Sequence, residues 1–178
     1  MKKVLHFLVI SMLLVGALFM LNPTGEVSAK DSAKLLEFDT MLGVPKPYTG
    51  GANAIRGVPG GGLPWVIGQA KGELKSNGDL EVKVKGLVFD PNDPDVIARG
   101  LANQNTVPAF RAIVSCLSKD ADGNPTTVNV TTDQFPATIG VGAGDAKIEA
   151  HIGLPSPCIA PIIFVTSPGG AWFAATGS

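Results

Sequence analysis

Histidine and cysteine are nearly missing from this chain, with two of each among 178 residues. His6 falls in an N-terminal apolar stretch, so His151 is the one histidine downstream. A Ser–His–acid catalytic set would have to run through it, and no Gly-x-Ser-x-Gly nucleophile elbow occurs. One histidine and two cysteines cannot fill the coordination shell of zinc or copper, and no Cys-x-x-Cys spacing is present. Charge of one sign is missing too: 14 Lys and Arg stand against 15 Asp and Glu, a formal net charge of −1. That balance argues against nucleic acid and against an anionic membrane surface as partners. No long amphipathic helical pattern is visible.

A second long hydrophobic run is also lacking. The first is N-terminal: Lys2 and Lys3 precede an apolar stretch over residues 7–21, which Pro23 and Gly25 break. Val27-Ser28-Ala29 then fits the small-x-small rule for signal-peptidase cleavage. Residues 1–29 therefore read as a signal peptide and residues 30–178 as a single secreted, extracellular domain. No cysteine lies near Ala29, which argues against a lipid anchor. Pro155, Pro157 and Pro161 interrupt the only other candidate for a membrane span, so none is expected after cleavage. A domain of this length buries about two-thirds of its surface.

What is abundant is turn chemistry among β-formers, with 22 Gly and 14 Pro. The stretch from Asp145 to Val165 looks like the organising element. Ile148, Ala150, Ile152 and Leu154 alternate with Lys147, Glu149 and His151, as in a half-buried strand. A Pro-rich corner over residues 155–161 carries Cys158. Ile162 to Val165 is an unbroken apolar run, as expected of a strand buried on both faces.

Around this corner the chain reads as short strands. Leu36 and Phe38 alternate with Glu37 and Asp39, although residues 31–36 could equally form a helical turn. Asn77-Gly78 is the preferred type I′ pair, flanked by residues 65–76 and 79–89 as a hairpin. Leu80, Val82 and Val84 are assigned to the core. Glycines 68 and 72 on the incoming arm leave room for Trp65 or a phenylalanine. Residues 96–105 read as a short helix or an excursion. Phe110, Ala112, Val114 and Cys116 share a core face, and residues 127–132 return beside them. Residues 171–176 form the last strand. About eight or nine strands, mostly joined as hairpins, predict an all-β antiparallel sandwich or small barrel. Pro161, Pro168, Lys83 and Lys85 are candidates for guarding its edges.

Export places Cys116 and Cys158 where disulfides persist, and two cysteines allow one intramolecular pairing. Closing the 43-residue loop from Cys116 to Cys158 stabilises by about 4 kcal/mol in the chain-entropy model.

Two glycine clusters invite phosphate readings that their surroundings refuse. Leu63-Pro64 follows Gly60-Gly61-Gly62 where a P-loop needs Lys-Ser or Lys-Thr. The 140–144 glycines precede a strand, not a helix, and read as a connection. Two acidic loops offer hard oxygens for calcium: Asp90, Asn92, Asp93 and Asp95 in one, Asp120, Asp122 and Asn124 in the other. The same residue types dominate plain turns, and Thr131-Thr132-Asp133 stands where a distal bidentate acid is wanted. Trp65, Trp172, Tyr48 and the phenylalanines read as core first and as a sugar-binding or apolar groove second.

Residues 110–116 (Phe-Arg-Ala-Ile-Val-Ser-Cys), Phe135-Pro136-Ala137, residues 154–165 and Trp172-Phe173-Ala174 resemble small secreted bacterial β-proteins. That resemblance implies a paired-cysteine sandwich and no mechanism. Gly68-Gln-Ala-Lys-Gly72 before Leu80-Glu-Val-Lys-Val84, with Ala150-His151-Ile152, is similar to the CHRD domain, a secreted superoxide-dismutase-like sandwich. Gly153 stands where that family's paired-histidine signature continues. The reading that follows is a secreted, non-enzymatic module acting by surface contact with extracellular protein or glycan. Its rival is a carbohydrate-binding or hydrolytic domain using the acidic loops and exposed aromatics.

Overall fold

The computed structural model describes residues 32–177. The expected signal segment and its cleavage position lie outside the described residues. In chain order the elements are β1 (Lys34–Phe38), β2 (Leu42–Gly43), β3 (Trp65–Val66), β4 (Gln69–Lys75), β5 (Asp79–Lys85), β6 (Val88–Phe89), α1 (Pro94–Ala98), β7 (Gln104–Asn105), β8 (Ala109–Lys119), β9 (Pro125–Thr131), β10 (Phe135–Pro136), β11 (Gly140–Val141), β12 (Ala146–His151), β13 (Ile159–Thr166) and β14 (Trp172–Ala175). Eight strands have four residues or more, and the other six are two-residue ribbons. The sandwich reading holds. Sheet I is β1-β4-β5-β12, and sheet II is β10-β8-β13-β14-β2 with β9 also on β8. All of their strand pairs are antiparallel.

The 145–165 stretch joins the two sheets. β12 ladders onto β5 from Ala146↔Val84 to His151↔Asp79 in sheet I. The chain then turns through the proline corner and enters sheet II as β13, beside β8. Ile148 is fully buried, as are Ile163, Phe164 and Val165. Cys158, within the corner, is bonded to the buried Cys116 of β8, with Cα atoms 4.9 Å apart. The bond thus ties the crossover to the central strand of the other sheet.

Between the sheets, Leu74, Leu80, Val82 and Val84 of sheet I meet Phe110, Ala112, Val114 and Cys116 of sheet II. The aromatic part of this core is Trp65, whose ring lies 4.2 Å from Phe89 and 4.0 Å from Phe173. Gly72 faces Phe38 across the β1–β4 ladder, so the neighbour that needed its missing side chain is a phenylalanine. Of residues 31–36, Lys34 to Leu36 are strand and not a helical turn, and Ser32 and Ala33 have no regular structure.

The Asn77-Gly78 hairpin forms as expected, with Asn77 Oδ1 accepting the Asp79 N–H. Gly78 has φ +94°, and a Cβ there would lie 2.0 Å from the Ile152 carbonyl oxygen. The hairpin arms break near Gly68 and resume as the β3–β6 ribbon, pairing Trp65 with Phe89. The 140–144 connection contains a short strand, β11, paired with β7. Lys83 and Lys85 lie on β5, which is interior to sheet I, so they guard no edge. Pro161 lies on β13, interior to sheet II, within a register shift between Ile159 and Ile162. Pro168 lies in the turn before β14.

Opening the disulfide releases a link of sequence separation 42. Cys158→Ser is expected to lower Tm by roughly 5–15 °C; an unchanged calorimetric midpoint contradicts the staple. Gly78→Ala forces a side chain into a left-handed backbone and against Ile152. It is expected to cost more than about 1 kcal/mol in denaturant titration, and a neutral result contradicts the tight tip.

Candidate functional site

A two-layer sandwich leaves the far face of each sheet to solvent, but sheet II is covered on both sides. All four residues of β14 are buried, and their successive side chains point to the two faces of the sheet in turn. Phe173 enters the core against Trp65 and Phe110, while Trp172 contacts Phe164 on the outer face. Residues 44–64 then follow the β14 edge of the sheet and bring Pro45, Tyr48, Ile55 and Arg56 over its outer face. Val44 N–H donates to Phe173 O at 2.8 Å, Trp172 N–H donates to Pro59 O at 2.9 Å, and Gly61 N–H donates to Trp172 O at 2.8 Å. Gly60 is needed here because a Cβ would lie 2.0 Å from the Tyr48 carbonyl oxygen. Gly61 is crowded too, by the Phe173 ring, while a Cβ on Gly62 would meet open space, so two of the three glycines serve close approach.

The covering segment is held at three points. Lys46 Nζ lies 2.8 Å from Asp93 Oδ2 and 2.7 Å from Asp95 Oδ2. Arg56 Nη1 donates to Ser115 O at 3.0 Å and Ala160 O at 2.8 Å. Asn129 Nδ2, on β9, donates to Arg56 O at 3.0 Å.

Between this segment, the start of β13 and residues 40–42 lies a groove of about 1110 Å³. Its floor includes Ile162, Trp172 and Ala175, and its sides include Tyr48, Arg56 and Leu42. Tyr48 is 40% exposed and Leu42 65%. Trp172 is only 2% exposed, and its indole N–H has no hydrogen-bond partner. The Ser115 hydroxyl, on the residue whose carbonyl anchors Arg56, is likewise buried and unpartnered. Arg56 spends Nη1 on backbone carbonyls, and no protein acceptor among the described residues takes Nε or Nη2. A guanidinium with free fork atoms fits a planar oxyanion or a carbonyl.

The acidic loops are placed elsewhere. Asp93 caps α1, accepting the N–H groups of Asp95 and Val96 at 3.0 and 3.2 Å, with Pro94 at the first helical turn. Its other oxygen faces Lys46, as does Asp95, so a lysine ammonium is the cation these two carboxylates hold. Asp90 accepts the Asn92 N–H. In the second loop Asp120 accepts the N–H groups of Asp122 and Asn124 at 3.0 and 2.9 Å, an Asx turn at the tip of the β8–β9 hairpin. Among the described residues no group of three or more His, Cys, Asp or Glu side chains is arranged to hold a metal ion.

His151 sits on the solvent face of sheet I, where Nδ1 is 2.8 Å from Asp79 Oδ1 and the side chains are 70% and 51% exposed. That face is segregated by charge. Lys71, Lys83 and Lys147 are paired across three strands, and Glu37, Glu73, Glu81 and Glu149 across four. Like charges directly opposite repel. The rows are neutralised along the strands instead, by Lys75–Glu73, Lys83–Glu81 and Lys147–Glu149.

Several carboxyls sit below their ordinary range in consequence. Lys46 holds Asp93 down, Lys75 and Lys34 hold Glu73, and Lys83 holds Glu81. Hydrogen bonds from His151 and Asn77 lower Asp79, and the Asn124 N–H lowers Asp120. A depressed folded pKa gives stability that is present above the unfolded value and lost as pH falls through the folded one. Tm is therefore expected to hold from pH 7 to about 5 and to fall below about 4. Lys46→Met is expected to lower Tm at pH 7, with the gap to the parent closing as Asp93 protonates. A gap that is constant down to pH 2 contradicts the Lys46–Asp93 linkage.

Compared with known proteins, the chain matches no family model, and no curated protein or solved structure shows significant similarity to it.

Proposed function

We propose that this is an exported, non-enzymatic binding module that takes an extended segment of extracellular polymer, peptide or glycan, into the groove over sheet II. One observation carries the reading: the groove is lined by Arg56, whose Nε and Nη2 meet no protein acceptor among the described residues, and by the half-exposed ring of Tyr48. A guanidinium with free fork atoms donates to a carbonyl or carboxylate oxygen, and the ring adds apolar contact at the lip. The disulfide, together with the absence of any helix among the described residues that could cross a membrane, suits an oxidising exterior. The exposed setting of His151 supports a surface role over a catalytic one.

Peptide and glycan arrays supply the test. The protein is expected to retain a defined ligand class. Tyr48→Ala should leave Tm unchanged and weaken that binding at least about fivefold. Arrays without a reproducible ligand, or a Tyr48→Ala variant that binds like the parent, contradict the groove. Turnover of a hydrolase substrate abolished by His151→Ala would favour the hydrolytic rival.

A further inference from the structure

An open sheet edge is a row of unpaired backbone groups, and proteins blunt it with charge, proline, bulges, brevity or cover. Three edges here follow that rule. β1 has a register shift between Lys34 and Leu36 and a Lys34–Glu37 pair. β12 carries Lys147, Glu149 and His151, and its open side meets Ala137 in a bridge to Ala146. β2 is only two residues long. The fourth, β9, has none of these defences. Residues 125–132 contain no charge, and proline only at the first position. The β8–β9 register runs from Ile113↔Thr131 to Lys119↔Pro125 without a shift. Val128 and Val130, on the core side of this strand, are only partly buried.

The sequence of the edge reads the same in both directions. Thr126-Thr127-Val128-Asn129-Val130-Thr131-Thr132 is a palindrome centred on Asn129. A twofold axis through Asn129 would run two copies antiparallel, with residue i beside residue 258 − i. Val128 then meets Val130 and Thr127 meets Thr131, while Thr132, just past β9, is buried and bonded back to Ala112. Such β-branched and hydroxyl pairs stabilise cross-strand contacts, and an isologous interface needs this self-complementarity.

Charge agrees with the same register. Asp133 of the second copy would fall beside Pro125, and Pro125 is paired in the sheet with Lys119. Both charged residues are exposed, and neither has an ion-pair partner among the described residues. The twofold axis would supply each with the other, twice.

From these observations we infer that β9 is a self-recognition edge, through which two copies of this chain join sheet II into one continuous antiparallel sheet centred on Asn129. The interface is a strand edge and not a broad face, so association is reversible and depends on concentration. Asn129 also holds Arg56 of the groove segment. The two grooves would therefore flank the axis and give a polymer two linked sites.

Sedimentation of the purified protein up to about 500 μM tests this. The parent is expected to move from monomer to dimer. Thr127 and Thr131 face solvent and oppose one another's copies in this register. T127K with T131K puts lysine opposite lysine and should weaken the dimer at least about tenfold. T127K with T131E puts lysine opposite glutamate and should restore it. A parent that stays monomeric throughout, its edge free for a strand of a different protein, overturns the inference. So does a lysine–lysine variant that dimerises like the parent, or a lysine–glutamate variant that is folded by Tm and monomeric. The oligomeric state is independent of ligand binding, so failure here leaves the groove reading standing.

Discussion

The structure depends on one crossing. Between His151 and Ile159 the chain leaves sheet I, passes through a proline corner, and enters sheet II. Cys158 is bonded there to Cys116 of β8. Without this crossing β12 would have no direct continuation into sheet II, and β8 would lose β13 as a neighbour. The Ile152 N–H also donates to Gly78 O at 3.0 Å, so the hairpin tip of sheet I is clamped to the start of the corner. One short stretch therefore sets hairpin position, sheet spacing and disulfide reach together.

From that frame the outer layer follows. Sheet II is packed with Phe164 and Trp172 on its far face, which would be exposed unless covered. The cover is a segment rich in glycine and proline that cannot form a core of its own. It is fixed instead by backbone hydrogen bonds to β14, by Lys46 to the α1 cap, and by Arg56 to β8 and β13. A loop so attached closes over the sheet incompletely. The groove is the part of the outer face left uncovered, and its unpaired donors are the polar residue of that packing. Asn129 then relates the groove to the edge strand through a single amide.

Legibility in the sequence followed the range of the physics. Asn77-Gly78 declares its turn in two residues, and alternation along 80–84 and 146–152 declares which side is buried. Both are local effects, and both matched the structure. The two cysteines needed no geometry, because only one pairing existed. The groove was not legible, because its lining comes from segments far apart in the chain, and the segment over it is held by contacts such as Lys46 to Asp95, separated by 49 positions. Trp172 shows the limit well: it is buried, as its strand context suggested, yet it lines the groove. The acidic loop at 90–95 carried the right residues for a cation, and the partner it has is a lysine ammonium from a distant loop. The palindrome at 126–132 was always in the sequence, but it gained meaning only once β9 proved to be an outer strand.

The central claim is that the corner couples both sheets into one cooperative unit. Native-state hydrogen exchange, followed with the disulfide intact and after reduction, measures this directly. Amides of β5 and β12 in sheet I and of β8 and β13 in sheet II should share one opening free energy and lose protection by the same amount on reduction. Sheet I amides that keep their protection while those of sheet II open would show two separate units and contradict the account.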